Sequence, residues 1–390
     1  MPFEHTCALE RALADALPGV PGASAVVTSA SGELFASAAG LRSLANSAPF
    51  TPDTVCAIFS ATKALTATLC LQLAEEGRLD LDAPARIHAP GLARAQVLTG
   101  FDSSGAPCLR AAEGEITTRM LLLHTAGFGY DFFNPTLSRF AREHGLRAIL
   151  TGTRAALDAP LLFDPGEGWE YGIGMDWAGQ VIEGVTGLPL AAAMQERLLD
   201  PLGMEDTGFR IRPHMRARLA KIHQRGKDGS LTSTDIELPA APEVDMGGHG
   251  LYSTARDFAK FLRMWLAGGT GPLGRILKPE TIKMASRSGL GAHRVHPLPG
   301  VRPNVSHDLD FFPGLPKSWG LSFLINEADA PTGRKAGSLA WAGVANVFYW
   351  IDPKSGIAGV WMAQVFPFLD PEALAGYLDF ERATYDALTR

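Results

Sequence analysis

The chain has 390 residues, 46% apolar and 19% charged, with a formal net charge of -6 and no strongly basic run. That composition describes a soluble globular protein and argues against nucleic acid as a partner. No apolar run approaches the about 18 residues of a membrane helix, and Met1 to His5 has no basic stretch leading into an apolar core, so neither a membrane span nor a signal peptide is expected. Cys7, Cys56, Cys70 and Cys108 show no C-x-x-C spacing and read as reduced thiols of a cytoplasmic protein.

In chain order, Phe3 to Leu17 predicts an amphipathic helix ending at Pro18-Gly19. Ala23 to Ser29 and Leu34 to Ala39 predict two strands joined through Ser31-Gly32. A long apolar helix opens at Ser60 and closes at Gly77. Helical pieces then dominate: Thr117 to His124, Leu137 to Leu150, Met175 to Thr186, Leu190 to Leu199, and, after Gly247-Gly248-His249-Gly250, Thr254 to Ala267. Gly289 to Pro316 is a long Pro- and Gly-rich loop, of a length that usually carries function. Trp319 to Ile325, Ser338 to Trp341, Asn346 to Ile351 and Ile357 to Val365 predict strands, and Pro371 to Leu388 a closing helix. Strands at both ends with helices between predict one sheet built from the termini, with a helical lobe inserted.

Ser60-Ala61-Thr62-Lys63 carries the chemistry. A serine in the first turn of a helix sits where free N–H groups and the helix dipole stabilise negative charge. A lysine three residues on shares its face, and a desolvated amine there can take the hydroxyl proton. An N-cap serine and a solvated lysine would explain the pair without chemistry. Against that, the residues after Lys63 are apolar nearly all round, which buries the helix.

A second candidate is Tyr171, between Gly168 and Gly174; a buried phenol with cationic neighbours is expected to have a lowered pKa and to exchange protons. A third is Trp341-Ala342-Gly343-Val344, where small residues allow close approach and the Val344 amide can join that of Ser60 in an oxyanion hole. There is no Gly-x-Ser-x-Gly elbow and no His-Glu-x-x-His. His293, His296 and His307 read as solvated or loop-packing residues, and His124 as packing its helix end. No metal and no cofactor is expected.

Five segments in order resemble the serine β-lactamase and penicillin-binding protein superfamily: Phe59 to Lys63, Leu121 to Phe128, Tyr171 with the Val181 to Gly187 helix, Gly247 to Thr254, and Trp341 to Gly343. Within it the chain is most similar to the family VIII carboxylesterases, which resemble class C β-lactamases. The resemblance implies an α/β (α+β) fold of the β-lactamase/transpeptidase type, a central antiparallel sheet flanked by helices. Residues 1–80 with 245–390 would form the α/β domain and 81–244 the helical lobe. It implies Ser60, Lys63 and Tyr171 as the catalytic set, with either Lys63 or Tyr171 as the base. Two positions depart from the β-lactamase pattern. Ile173 stands where those enzymes carry asparagine, and Trp341 where their Lys-Thr-Gly begins. Loss of that cation favours a neutral ester over an anionic amide.

The expected function is therefore hydrolysis of short- to medium-chain esters through an acyl-enzyme on Ser60, with a small-molecule ester as the partner. Alternatives on the same scaffold are a β-lactamase or D-amino-acid peptidase, and an acyltransferase of the lovastatin-assembly type. Trp341, Ala342, Gly343, Phe128, Ile173 and His249 are expected to bind substrate. Two aromatic clusters, Phe128, Tyr130, Phe132 and Phe133, and Phe311, Phe312 and Trp319, can equally be pocket wall or core.

Overall fold

The protein is described from a computed structural model covering residues 6–17 and 19–388. The first helix spans Thr6–Asp15; its expected start at Phe3 and stop at Pro18 lie outside the described residues. The main sheet has eight strands, all antiparallel, in the order Lys317–Trp319, Leu324–Asn326, Leu339–Gly343, Val347–Asp352, Ile357–Met362, Gly22–Ser29, Gly32–Ser43 and Ala48–Pro49. Both chain ends thus meet in one sheet, with Val26 opposite Val360.

The central strands are buried on both faces, and their side chains alternate between two layers of helix. On Val347–Asp352, Phe348 and Trp350 face the closing helix Pro371–Leu388, where they meet Tyr377. The intervening Tyr349 faces Phe258 of the opposite helix, Ala255–Leu266. That second helix packs on the strands at both sides of the terminal junction. The helix Thr62–Glu75 is buried from Thr62 to Leu73 and packs against Gly174–Thr186. A helix apolar all round can only be placed this way.

Several expectations change at their edges. Leu137 to Leu150 is not one helix: Pro135–His144 stops at Gly145, which takes a left-handed backbone (φ +74°), and a short 3-10 turn follows at Ile149–Thr151. Trp319 to Ile325 is not one strand but the two arms of a tight hairpin, bent where Ser322 has φ +77°. The hairpin Gln96–Phe101 with Pro107–Ala111 was not signalled by the sequence. Its first strand breaks alternation at a register shift between Leu98 and Gly100, and its second carries apolar residues such as Leu109 on exposed positions.

The turn before the Trp341 strand is tied to the closing helix by a buried ion pair. Arg334 Nε donates to Glu381 Oε1 at 2.8 Å, and Thr332 Oγ1 donates to the same oxygen at 2.7 Å. Both charged side chains are almost fully buried. Removing one partner strands the other charge in the interior. Glu381→Ala is expected to lower unfolding free energy by about 3–5 kcal/mol in urea titration; a change below about 1 kcal/mol would show that the pair contributes little.

Candidate active site

Ser60 sits in a 3-10 turn, Phe59–Ala61, that runs straight into the helix Thr62–Glu75. The chain enters this turn under strain, since Phe59 adopts φ +42°, a sparsely populated region for a bulky residue. Packing holds it there: the Phe59 ring is buried against Phe366, and Ala57 is clamped in both directions by the Gln364 amide.

One turn on, Lys63 is fully buried. Its ammonium donates to three oxygens: Ser60 Oγ at 3.1 Å, the Tyr130 hydroxyl at 2.9 Å and the Gly248 carbonyl at 2.8 Å. None of the three is a carboxylate. Burial therefore dominates and lowers the Lys63 pKa from 10.5 to about 7, opposed by the more distant Asp176 carboxylate.

Tyr171 completes the group. Its hydroxyl hydrogen-bonds Ser60 and accepts from the Trp341 indole N–H at 2.9 Å. Lys63 Nζ lies 4.8 Å from the ring centroid. The expected lowering of the Tyr171 pKa is not what the structure gives. Burial pushes it well above its ordinary value, and the hydrogen bonds with Ser60 and Trp341 recover only part of that. Tyr171 is a neutral phenol.

The loop carrying Tyr171 is anchored by His124, whose carbonyl accepts from Glu170 N–H and whose Nδ1 accepts from Gly172 N–H at 3.4 Å. His124 is buried and held neutral, by burial first and by Lys63 second. The long loop 289–316 straps the same segment from outside: His293 Nε2 pairs with the Gly166 carbonyl at 2.8 Å and His296 Nε2 with that of Trp169 at 3.0 Å. These histidines pack the loop, as their setting in the sequence implied.

A cavity of about 120 Å³ opens on Ser60, walled by Phe59, Tyr130, Phe132, His249 and Val344 among others. A larger one of about 430 Å³ adjoins it and shares Tyr130, Asp131 and Arg302, the last two joined in an ion pair. Ser60 opens into the smaller cavity; Ile173 lines the larger.

The other expected contacts fall elsewhere. Phe128 turns away from Ser60, stacks on Trp177 and lines a separate cavity, so it is not on the wall of the Ser60 site. Gly343 faces backbone, not substrate: a Cβ there would lie 2.2 Å from the Ile58 carbonyl, so only glycine lets this strand close on the Ser60 turn. Ala342 is buried in the sheet, and Trp341 touches Tyr171 rather than the cavity. Phe311 and Trp319 pack on Trp341 and belong to the core behind the phenol. Among the described residues, no group of three His, Cys, Asp or Glu side chains could hold a metal ion, and no helix is long and apolar enough to cross a membrane.

Three participants carried no signal strong enough to single them out. Tyr130 stood only as one of four aromatic residues. The Gly248 carbonyl is backbone. Asp176 reads like any acidic residue in a first helical turn, a position that suits the helix dipole.

The family model described as Beta-lactamase matches residues 10–384. Monacolin J acid methylbutanoyltransferase of Aspergillus terreus is 34% identical over 382 residues, covering 94% of this chain and 92% of its own. Lovastatin esterase of Penicillium rubens is 33% identical over 374 residues, covering 91% and 92%. The solved structure of unliganded simvastatin synthase from Aspergillus terreus matches with a TM-score of 0.82 at 31% identity over 98% of each chain.

The Lys63 cage yields a prediction at Tyr130. Tyr130→Phe keeps the ring and removes one of three acceptors from the ammonium. A hydrogen bond to a charged group contributes about 1.5–3 kcal/mol, so kcat/KM for a p-nitrophenyl ester is expected to fall roughly 10- to 100-fold. Unchanged kinetics would remove Tyr130 from the working site.

Proposed function

Because the chain belongs to the beta-lactamase family and has the β-lactamase/transpeptidase-like fold, we propose that it is a serine esterase, cleaving neutral small-molecule carboxylic esters through an acyl-enzyme on Ser60. The observation that carries this reading is Lys63 Nζ, 3.1 Å from Ser60 Oγ and lowered by burial to about 7. An amine so placed is free of its proton in a useful fraction at neutral pH.

Ser60 Oγ attacks the ester carbonyl and its proton passes to the Lys63–Tyr171 set. The phenol, neutral and hydrogen-bonded to Ser60, supplies a proton to the departing alkoxide. The amides of Ser60 and Val344 hold the oxyanion. Water enters by the same route and releases the acid. Lys63 and Tyr171 exchange protons as a coupled pair, so the set, not one residue, acts as base and acid.

Trp341 supports the choice of a neutral ester. Its indole N–H is committed to Tyr171, and its side chain brings no charge that an anionic lactam or peptide would need. The apolar walls Phe59, Phe132 and Val344 and the modest cavity suit a short to medium acyl chain. A second reading, transfer of the acyl group to an alcohol in place of water, is favoured by the named activities of the Aspergillus relative and stands beside that of the Penicillium esterase. Both readings share the acyl-enzyme and differ only in the acceptor.

Intact-protein mass spectrometry during turnover of p-nitrophenyl butyrate is expected to show one butyryl group on Ser60. Ser60→Ala is expected to lose the adduct and, on the order of 10⁶-fold, the turnover. Wild-type hydrolysis by that variant would rule the nucleophile out. Added primary alcohol separates the two readings: hydrolysis persists at constant acid yield in an esterase, and the butyrate ester of that alcohol replaces butyric acid in a transferase. Because protonated Lys63 cannot take the serine proton, kcat/KM is expected to fall as pH drops through about 7; a flat profile down to pH of about 5 would contradict the lysine's role.

A further inference from the structure

We propose that Asp176 is the positioning residue of this proton-transfer set: its buried carboxylate fixes the Gly247–His249 loop so that the Gly248 carbonyl meets Lys63, and its charge opposes loss of a proton from the set. The inference rests on the acyl-enzyme reading and adds a residue to it that touches neither substrate nor Ser60.

Asp176 lies in the first turn of Gly174–Thr186 and is completely buried. Its side chain does not cap its own helix. It crosses to the loop, where Oδ1 accepts the Gly248 N–H at 2.8 Å. The carbonyl of the same residue accepts Lys63 Nζ at 2.8 Å. Gly248 is thus held at both polar atoms, by the carboxylate on one side and the ammonium on the other. The preceding carbonyl, of Gly247, accepts Thr66 Oγ1 at 2.7 Å, from the same helix as Lys63. Fit is close as well as polar: a Cβ on Gly248 would stand 2.5 Å from Asp176 Oδ2. Glycine here is what allows the loop to rest on the carboxylate.

Burying a carboxylate with a single hydrogen bond is costly unless a compensating charge is near. Oδ2 has no partner, and His249 Nδ1, 3.4 Å from Oδ1, is not at hydrogen-bonding geometry. One such charge is that of Lys63, reached through the Gly248 peptide. Burial alone lowers the lysine, and Asp176 is the group that raises it back. Asp176 also raises both phenols, Tyr130 and Tyr171.

The titratable groups that face the ammonium are Tyr130 and Tyr171, both neutral, and His124, also held neutral. His249 faces Asp176, and Asp131 behind Tyr130 is ion-paired to Arg302. The negative charge acting on Lys63 is therefore that of Asp176. Removing it makes proton loss easier whether the proton leaves Lys63 or Tyr171, so the direction of the effect does not depend on which of them is the base.

The test is the pH profile of kcat/KM on p-nitrophenyl butyrate for Asp176→Asn and Asp176→Ala, alongside fluorophosphonate labelling of Ser60. The asparagine keeps an acceptor for the Gly248 N–H and loses the charge. Its acid limb is expected to move down by about one pH unit or more, with a plateau within about tenfold of wild type. The alanine loses the loop as well, and its plateau is expected to drop by at least about 10²-fold with KM little changed. A purely structural carboxylate would lower thermal stability and leave the limb in place; an unmoved limb in Asp176→Asn, or wild-type kcat in Asp176→Ala, overturns the proposal. Should neither variant fold, Gly248→Ala reads the same link from the other side: a fall in kcat at constant KM supports it, and wild-type kinetics overturn it. Wild-type enzyme without label on Ser60 would bring down the acyl-enzyme reading itself; label on Ser60 with an unmoved limb removes Asp176 alone.

Discussion

The burial of one ammonium group organises this molecule. Lys63 has given up water for three uncharged oxygens, and that exchange leaves its charged form only marginally favoured near neutral pH. Each of those oxygens arrives on a different part of the chain. Ser60 comes from the turn that opens the buried helix, Tyr130 from the loop after the Leu123 helix end, and Gly248 from the loop before Ala255–Leu266. The cage can exist only when all three segments are seated, so the folded core and the chemistry are one constraint.

The phenol answers to the same physics with the opposite sign. Burial lowers an amine and raises a phenol, so the same interior loosens the proton on Lys63 and tightens the one on Tyr171. The hydrogen bonds from Trp341 and with Ser60 temper the shift without reversing it. Two groups pushed apart in this way are suited, in the proposed mechanism, to divide the tasks of base and acid between them. Trp341, inside the sheet, brings an indole and no charge against the phenol.

Much of this was legible in the residues. The apolar run after Lys63 required a buried helix, and a buried helix required a reason for the lysine at its mouth. The strand pattern of the two termini required a shared sheet, and the sheet joins Gly22–Ser29 to Ile357–Met362. The family and the β-lactamase/transpeptidase-like fold followed from the five segments. Among the similar proteins are transferases as well as an esterase, so the likeness reaches the superfamily and stops short of one branch of it. What stayed hidden depended on the third dimension. Phe128 and Tyr130 are two residues apart and point into different cavities. Gly343 looked like space for substrate and proved to be space for the Ile58 carbonyl. The sign of the Tyr171 shift depended on how much water its hydroxyl had lost, which no motif encodes.

The poise of Lys63 itself is open to direct measurement. In enzyme carrying isotope-labelled lysine, with the Lys63 signal assigned by its disappearance in Lys63→Met, an NMR titration of the side chain reports its protonation without reference to catalysis. A midpoint of about 7 is the expected result. A midpoint close to the ordinary 10.5 would mean that the amine remains charged at neutral pH, and the proposed transfer of the serine proton to it would fail.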